Sequence, residues 1–234
     1  MECVTTLEKS QPPKKLRKRY EAFFAPFGRF LAKTGISPNT ISVLSVSVSI
    51  LSCIAYASGS YPNVGKSLGL LVGTLLLGCS SLLDMLDGSL ARAKGVAGHF
   101  GALLDRTLDR VSEFFFLLGI MAGGYVYPEW VFFCFEGMIL ASYIRSTAEK
   151  RGGLNMDSTT GIFERKEKLT LLSMGCLIEI LIYENFMGIE DWWFFEFGFL
   201  ALIVLIIGFL SHISAFQRLR YAQKFHASLE EKKA

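Results

Sequence analysis

Four aspartates carry the chemistry that this sequence advertises. Asp84 and Asp87 are three residues apart, and Asp105 and Asp109 are four apart. On helices, each pair presents both carboxylates on one face. The short link at residues 94–99 predicts that the two helices are antiparallel neighbours, so that the four carboxylates converge in one cavity. Like charges held close in low-dielectric surroundings are costly unless something neutralises them. A divalent cation does so, and a hard oxygen ligand set selects Mg²⁺, Mn²⁺ or Ca²⁺ over zinc. Two such ions would offset four negative charges and present positive charge to a phosphate or diphosphate. Gly88, Ala91 and Gly101 have almost no side chain, so a bulky ligand can approach both helices. The competing reading is a set of exposed interfacial carboxylates paired with Arg92, Arg106 and Arg110. The functional record of acids at membrane depth favours the cavity.

The elements that must hold these residues are apolar. The chain has 234 residues, 51% of them hydrophobic, and 20 are Phe. Its mean hydropathy is +0.40. Disorder, collagen-like and disulfide-scaffold classes are excluded by that composition, and a polytopic membrane protein fits it. The sequence predicts an all-α fold of six transmembrane helices near residues 41–57, 68–86, 100–122, 130–144, 169–183 and 192–213, at roughly 20 apolar residues per span. Before them, Phe23, Phe24, Phe27, Phe30 and Leu31 recur at helical spacing over 20–32. That segment reads equally as an amphipathic helix lying in the membrane interface and as a helix packed on the bundle. Ser37 is placed to N-cap the first span, with Pro38 at its first position. Residues 1–19 are expected to be a flexible basic tail, 20–220 the membrane domain, and 221–234 a polar tail. No short apolar region with a cleavage site opens the chain, so no secretory signal is expected.

The 24 Lys+Arg are unevenly placed. They gather in the N-terminal run, at Arg92 and Lys94, over 145–168 and over 218–233. The turns at 59–66, 123–129 and 184–191 carry one Lys and several acids. The positive-inside rule therefore predicts that both termini and the carboxylate cluster are cytoplasmic. The five cysteines form no CxxC pair, and read as small buried hydrophobes.

The run from Asp84 to Asp109 reads D-x2-D-G-x2-A-R-x8-G-x3-D-x3-D. At every fixed position and spacing it resembles the signature of the CDP-alcohol phosphatidyltransferase family. That resemblance implies a homodimer of six-helix protomers that displaces CMP from a CDP-linked lipid with an acceptor hydroxyl. It implies Asp84, Asp87, Asp105 and Asp109 at two Mg²⁺ or Mn²⁺ ions, with Asp109 also the general base. Asn39, Thr40, Gly88, Ala91, Arg92 and Gly101 would then line the site for CDP-diacylglycerol or CDP-archaeol. A carboxylate is a weak base for an alcohol, so positioning and charge stabilisation must supply most of the rate.

Two further stretches, Ser142-Tyr143-Ile144-Arg145-Ser146-Thr147-Ala148-Glu149 and Gly161-Ile162-Phe163-Glu164-Arg165-Lys166-Glu167-Lys168, resemble the phosphatidylinositol-phosphate and archaetidylinositol-phosphate synthase subgroup. Thr147 and Lys168 depart from it, standing where another basic residue and an Arg are common. The resemblance implies inositol phosphate as acceptor, held by Arg145, Arg165, Lys168 and Arg218; a phosphomonoester dianion needs several cations. The same cations also read as topogenic charge or contacts to membrane lipid head groups. Alternatives are glycerol 3-phosphate or another alcohol as acceptor, and a cation transporter built on the acidic cluster. No nucleic-acid partner is expected. Glu113 continues the carboxylate face and reads either as a holder of an Arg by hydrogen bond or as a group that tunes the cavity, with the structural role favoured; Glu136 reads as a helix–helix hydrogen bond in the outer half.

Overall fold

The computed structural model describes residues 15–96, 98–152, 165–186 and 198–231. Among them are seven helices and no strand: α1 Lys15–Ala32, α2 Pro38–Ser58, α3 Lys66–Lys94, α4 His99–Ala122, α5 Pro128–Gly152, α6 Arg165–Phe186 and α7 Phe199–Glu231. The expected start of the last span, near 192, lies outside the described residues, as do 153–164.

Ser37 is the N-cap of α2, its Oγ accepting from the Thr40 amide at 3.1 Å, and Pro38 opens the helix. Helix α3 has 29 residues, about 43 Å at 1.5 Å per residue, and runs on past the expected 68–86 span. It carries Asp84, Asp87 and Arg92 in its last turns and stops at Gly95, whose φ of +66° suits a residue without Cβ. Helix α1 begins at Lys15, before the expected start at Tyr20, because Lys, Leu and Arg are good helix formers. Helix α7 continues through Glu231, into the stretch expected to be a tail, because no Gly or Pro interrupts 209–231.

Three helices, α2, α3 and α7, are long and apolar enough to cross a membrane. Helices α4, α5 and α6 are of similar length, with charged residues that reach further into the helix. The core joins Tyr56, Leu70, Leu77, Phe116, Ile120, Cys134, Cys176, Leu200 and Val204 from six helices. Val43, Leu51, Ile54, Leu75, Phe132 and Phe209 point outward. An apolar outer surface of that extent fits a lipid environment and not water.

One expectation is corrected. Helices α3 and α4 do not pack along each other despite their short link. Helix α2 lies against both, while α6 packs on α3 and α7 on α5 and α6. Small residues make this possible. Gly73 of α3 and Gly119 of α4 lie against Tyr56 and Cys53 of α2, where a Cβ would collide. Serines fill the same seam. Ser45 pairs with Ser80 at 3.1 Å, and Ser52 donates to the Gly73 carbonyl at 2.7 Å. The carboxylate-bearing ends of α3 and α4 are therefore held beside a gap that α6 enters.

Candidate active site

Asp84 on α3 and Asp105 and Asp109 on α4 come together, with one oxygen from each within 4.8 Å of the others. The i, i+4 spacing sets the two α4 carboxylates on one face, and the α2 wedge sets the distance across to α3. Asp87 stands apart from this trio. It is buried against α2 and accepts from Ser42 Oγ at 2.5 Å. Ser42 went unrecognised in the sequence. Its signal is present in the serines at 42, 45, 49 and 52, an i, i+3, i+7, i+10 stripe on an apolar helix.

The neutralising charge comes from α6. One terminal nitrogen of Arg165 lies 2.6 Å from Asp84 Oδ2 and 2.7 Å from Asp109 Oδ1. Only the Asp84 contact has hydrogen-bond geometry, so Asp109 Oδ1 is buried and paired by charge alone. Arg165 Nε faces Glu113 Oε1 at 3.5 Å, and Arg110 meets Glu113 Oε2 at 2.5 Å. Glu113, 1% exposed, thus lies between two guanidinium groups, paired by charge with neither of its oxygens hydrogen-bonded. Arg106 pairs with Glu149 rather than with an aspartate.

The residues expected around the CDP group lie at the same end of the helices. Asn39 and Thr40 are exposed in the first turn of α2, one turn before Ser42. A Cβ built on Gly101 meets nothing within 4 Å, and one on Gly88 meets only Arg92, at 3.6 Å. Neither glycine is needed for helix packing, unlike Gly73 and Gly119. Ala91 is half-buried and Arg92 exposed on the same turn of α3.

The four expected phosphate-binding cations divide into two pairs. Arg165 and Lys168 sit in the first turn of α6, with Lys168 buried beside Glu113 in an apolar pocket that includes Phe116 and Met138. Arg145 pairs with Glu149 at 2.9 Å, and Arg218 donates to the Ala141 carbonyl at 2.7 Å, one turn before Arg145 on α5. Lys168 is within electrostatic reach of both Glu113 and Arg218, which links the pairs. Glu136 meets His212 at 2.5 Å, a hydrogen bond between α5 and α7.

The trio fits a divalent cation on its own chemistry. It offers hard oxygens close together, and one of them, Asp109 Oδ1, is buried without a hydrogen-bond donor.

The family comparison agrees with the geometry. Residues 35–213 match the sequence model of the CDP-alcohol phosphatidyltransferases. The chain is 29% identical over 210 residues to an archaetidylinositol phosphate synthase of Pyrococcus horikoshii, covering 90% of this chain and 96% of the relative. It is 30% identical over 175 residues to the corresponding protein of Methanothermobacter thermautotrophicus, covering 74% of this chain and 77% of that one. Crystal structures of the Mycobacterium tuberculosis phosphatidylinositol phosphate synthase superpose on it. The complex with CDP-DAG does so with a TM-score of 0.65 at 25% identity over 85% of this chain and 92% of that one. The complex with manganese and citrate has a TM-score of 0.67 at 25% identity, over 86% and 88%. With the complete Asp84–Asp109 signature on α3 and α4, the chain belongs to the CDP-alcohol phosphatidyltransferase family.

Proposed function

We propose that this transferase moves a phosphatidyl-type group, diacylglycerol phosphate or archaeol phosphate, from a CDP-linked lipid to a hydroxyl of inositol phosphate, releasing CMP. The observation that carries this reading is the convergence of Asp84, Asp105 and Asp109 beside the uncrowded Gly88 and Gly101. Two Mg²⁺ or Mn²⁺ ions held by Asp84, Asp87, Asp105 and Asp109 would polarise the diphosphate and stabilise departing CMP.

The chain's own residues do the rest. Gly88, Ala91 and Gly101 leave room for the cytidine diphosphate between α3 and α4. Asn39, Thr40 and Arg92 offer polar contacts at its edge. Asp109 takes the proton from the acceptor hydroxyl, and its deep placement fixes the geometry that a weak base requires. Arg145, Arg165, Lys168 and Arg218 hold the acceptor phosphate. The subgroup stretches around Arg145 and Arg165, together with the names of the relatives, support inositol phosphate.

We place the protein in the cell membrane as a homodimer of six-span protomers. The basic clusters favour cytoplasmic termini and a cytoplasmic active site. Phe23, Phe27 and Phe30 are exposed along α1, which supports an interfacial helix whose outward face meets lipid. Ser89 Oγ donates to the Phe24 carbonyl at 2.9 Å, tying that helix to the signature segment.

The test is CMP release by purified protein with CDP-diacylglycerol or CDP-archaeol, Mg²⁺ or Mn²⁺, and a panel of acceptors. Release with inositol phosphate, its loss on chelation, and its loss in Asp109→Ala are expected. Release with glycerol 3-phosphate alone overturns the acceptor assignment, and wild-type turnover by Asp109→Ala overturns the base.

A further inference from the structure

We propose that Arg165 is the built-in counter-cation of the carboxylate cluster and competes with the divalent ion for the oxygens of Asp84 and Asp109. The inference rests on the reading of those carboxylates as metal ligands.

Asp84, Asp105, Asp109 and the buried Glu113 bring four negative charges to one end of the bundle. Such a cluster without countercharge would oppose folding. A single nitrogen of Arg165 reaches two of these groups, at 2.6 Å and 2.7 Å. The fit is unequal. N–H donors are directional, and the nitrogen aligned on Asp84 leaves Asp109 Oδ1 without a hydrogen bond. A spherical cation carries no such directionality and satisfies both oxygens from one position. Arg165 therefore supplies charge where an ion would supply charge and coordination. The two occupy overlapping space, so ion binding displaces the arginine's terminal nitrogen. Glu113, facing Arg165 Nε at 3.5 Å, is the partner that keeps the side chain at the site's edge afterwards.

Competition makes a prediction opposite to that for a supporting residue. Removing Arg165 raises affinity for the ion, because a repelling and obstructing charge is gone. At an effective dielectric of about 20, a unit charge about 4 Å away is worth up to roughly a thousandfold in affinity, and movement of the arginine to the site's edge keeps only part of that.

Mn²⁺ binding to the purified full-length protein, followed by titration calorimetry and by electron paramagnetic resonance of free Mn²⁺, reads this directly, without turnover. Arg165→Gln is expected to bind Mn²⁺ at least about tenfold more tightly than wild type. It is also expected to unfold at lower temperature without Mn²⁺ and to gain more thermal stability from it. Arg165→Lys keeps a charge but loses the planar fork, and is expected to fall between the two. It decides the matter if Arg165→Gln does not purify folded. Equal or weaker Mn²⁺ binding in the folded variant, with wild-type binding abolished by Asp84→Asn, overturns the competition. Binding by neither wild type nor Asp84→Asn overturns the metal reading itself, and the proposal with it.

Discussion

Ser42 Oγ donates a hydrogen bond of 2.5 Å to Asp87 Oδ2 across the seam between α2 and α3. The same hydroxyl lies 3.2 Å from the Pro38 carbonyl one turn earlier, so the rotamer is fixed from two sides. Helix α2 thus separates the two signature helices and also orients one of the signature aspartates.

Ser42→Ala leaves Asp87 buried without that donor. A loss of about 1–3 kcal/mol in stability is expected, read as a lower Tm in detergent, together with slower CMP release. Ser42→Thr restores the hydroxyl and is expected to recover most of both. Unchanged Tm and unchanged CMP release in Ser42→Ala would remove Asp87's orientation from the account.

Gly101 tests whether the open space between the signature helices serves a ligand. An alanine there meets no protein atom within 4 Å, and alanine favours a helix over glycine by about 0.5–1 kcal/mol. Gly101→Ala is therefore expected to hold or raise Tm while raising KM for the CDP-lipid. Gly119→Ala is the contrast. Its Cβ would stand 2.6 Å from Cys53 Cα, so α2 and α4 must separate and Tm falls. Full activity in Gly101→Ala would show that the gap is not used.

Local signals were legible because they act over a few residues. Ser37-Pro38 capped α2 as read, and the i, i+4 spacing of Asp105 and Asp109 did put them on one face. The partner of α3 was not legible. A link of a few residues normally implies neighbours, yet the Gly73 and Gly119 contacts admit α2 between α3 and α4. The glycines were visible, but whether a glycine marks close packing or a ligand space depends on what faces it. The subgroup stretch marks Arg165 as a cation of the site, but no local pattern turns it to Asp84 and Asp109. That contact spans 81 residues, and only the packing of α6 on α3 creates it.

Glu113 sits fully buried between Arg110 and Arg165, whose side chains are partly exposed. Removing one partner of a buried ionic group costs up to about 3–5 kcal/mol; here Arg165 keeps Asp84 and Asp109, and Arg110 is the group left without its partner. Glu113→Ala is expected to lose that stability, measured by chemical or thermal unfolding. Glu113→Gln keeps the volume and one acceptor, and a smaller loss is expected. Equal stability of wild type and Glu113→Ala would show that Arg110 and Arg165 find other partners.

Glu136 and His212 tie α5 to α7, and the His212 ring stacks on Phe133 at 4.5 Å between centroids. Glu136 lies nine residues before Arg145 on α5, about 13 Å along the axis at 1.5 Å per residue, and contributes no group to the carboxylate site. Glu136→Ala is expected to lower Tm, with a loss of about 1–2 kcal/mol, and to leave the KM of both substrates unchanged. A selective change in either KM would give the pair a part in substrate handling.

Arg218 separates a packing role from a substrate role. Its guanidinium donates to the Ala141 carbonyl at 2.7 Å and is 9% exposed, so it joins α7 to α5 in any case. Arg145 follows Ala141 by one turn, which places both guanidinium groups on the same side of α5. Lys168 lies within electrostatic reach of Arg218 from α6. If these cations hold the acceptor phosphate, Arg218→Met removes a charge-assisted hydrogen bond worth about 1.5–3 kcal/mol. The KM for inositol phosphate then rises roughly tenfold to a hundredfold, while that for the CDP-lipid stays put. Arg218→Lys restores part of it, since a point charge binds phosphate without the fork. Steady-state kinetics with each substrate varied in turn, alongside Tm, makes the distinction. A purely structural Arg218 would lower Tm and move both KM values together, and that result would take Arg218 out of the acceptor site.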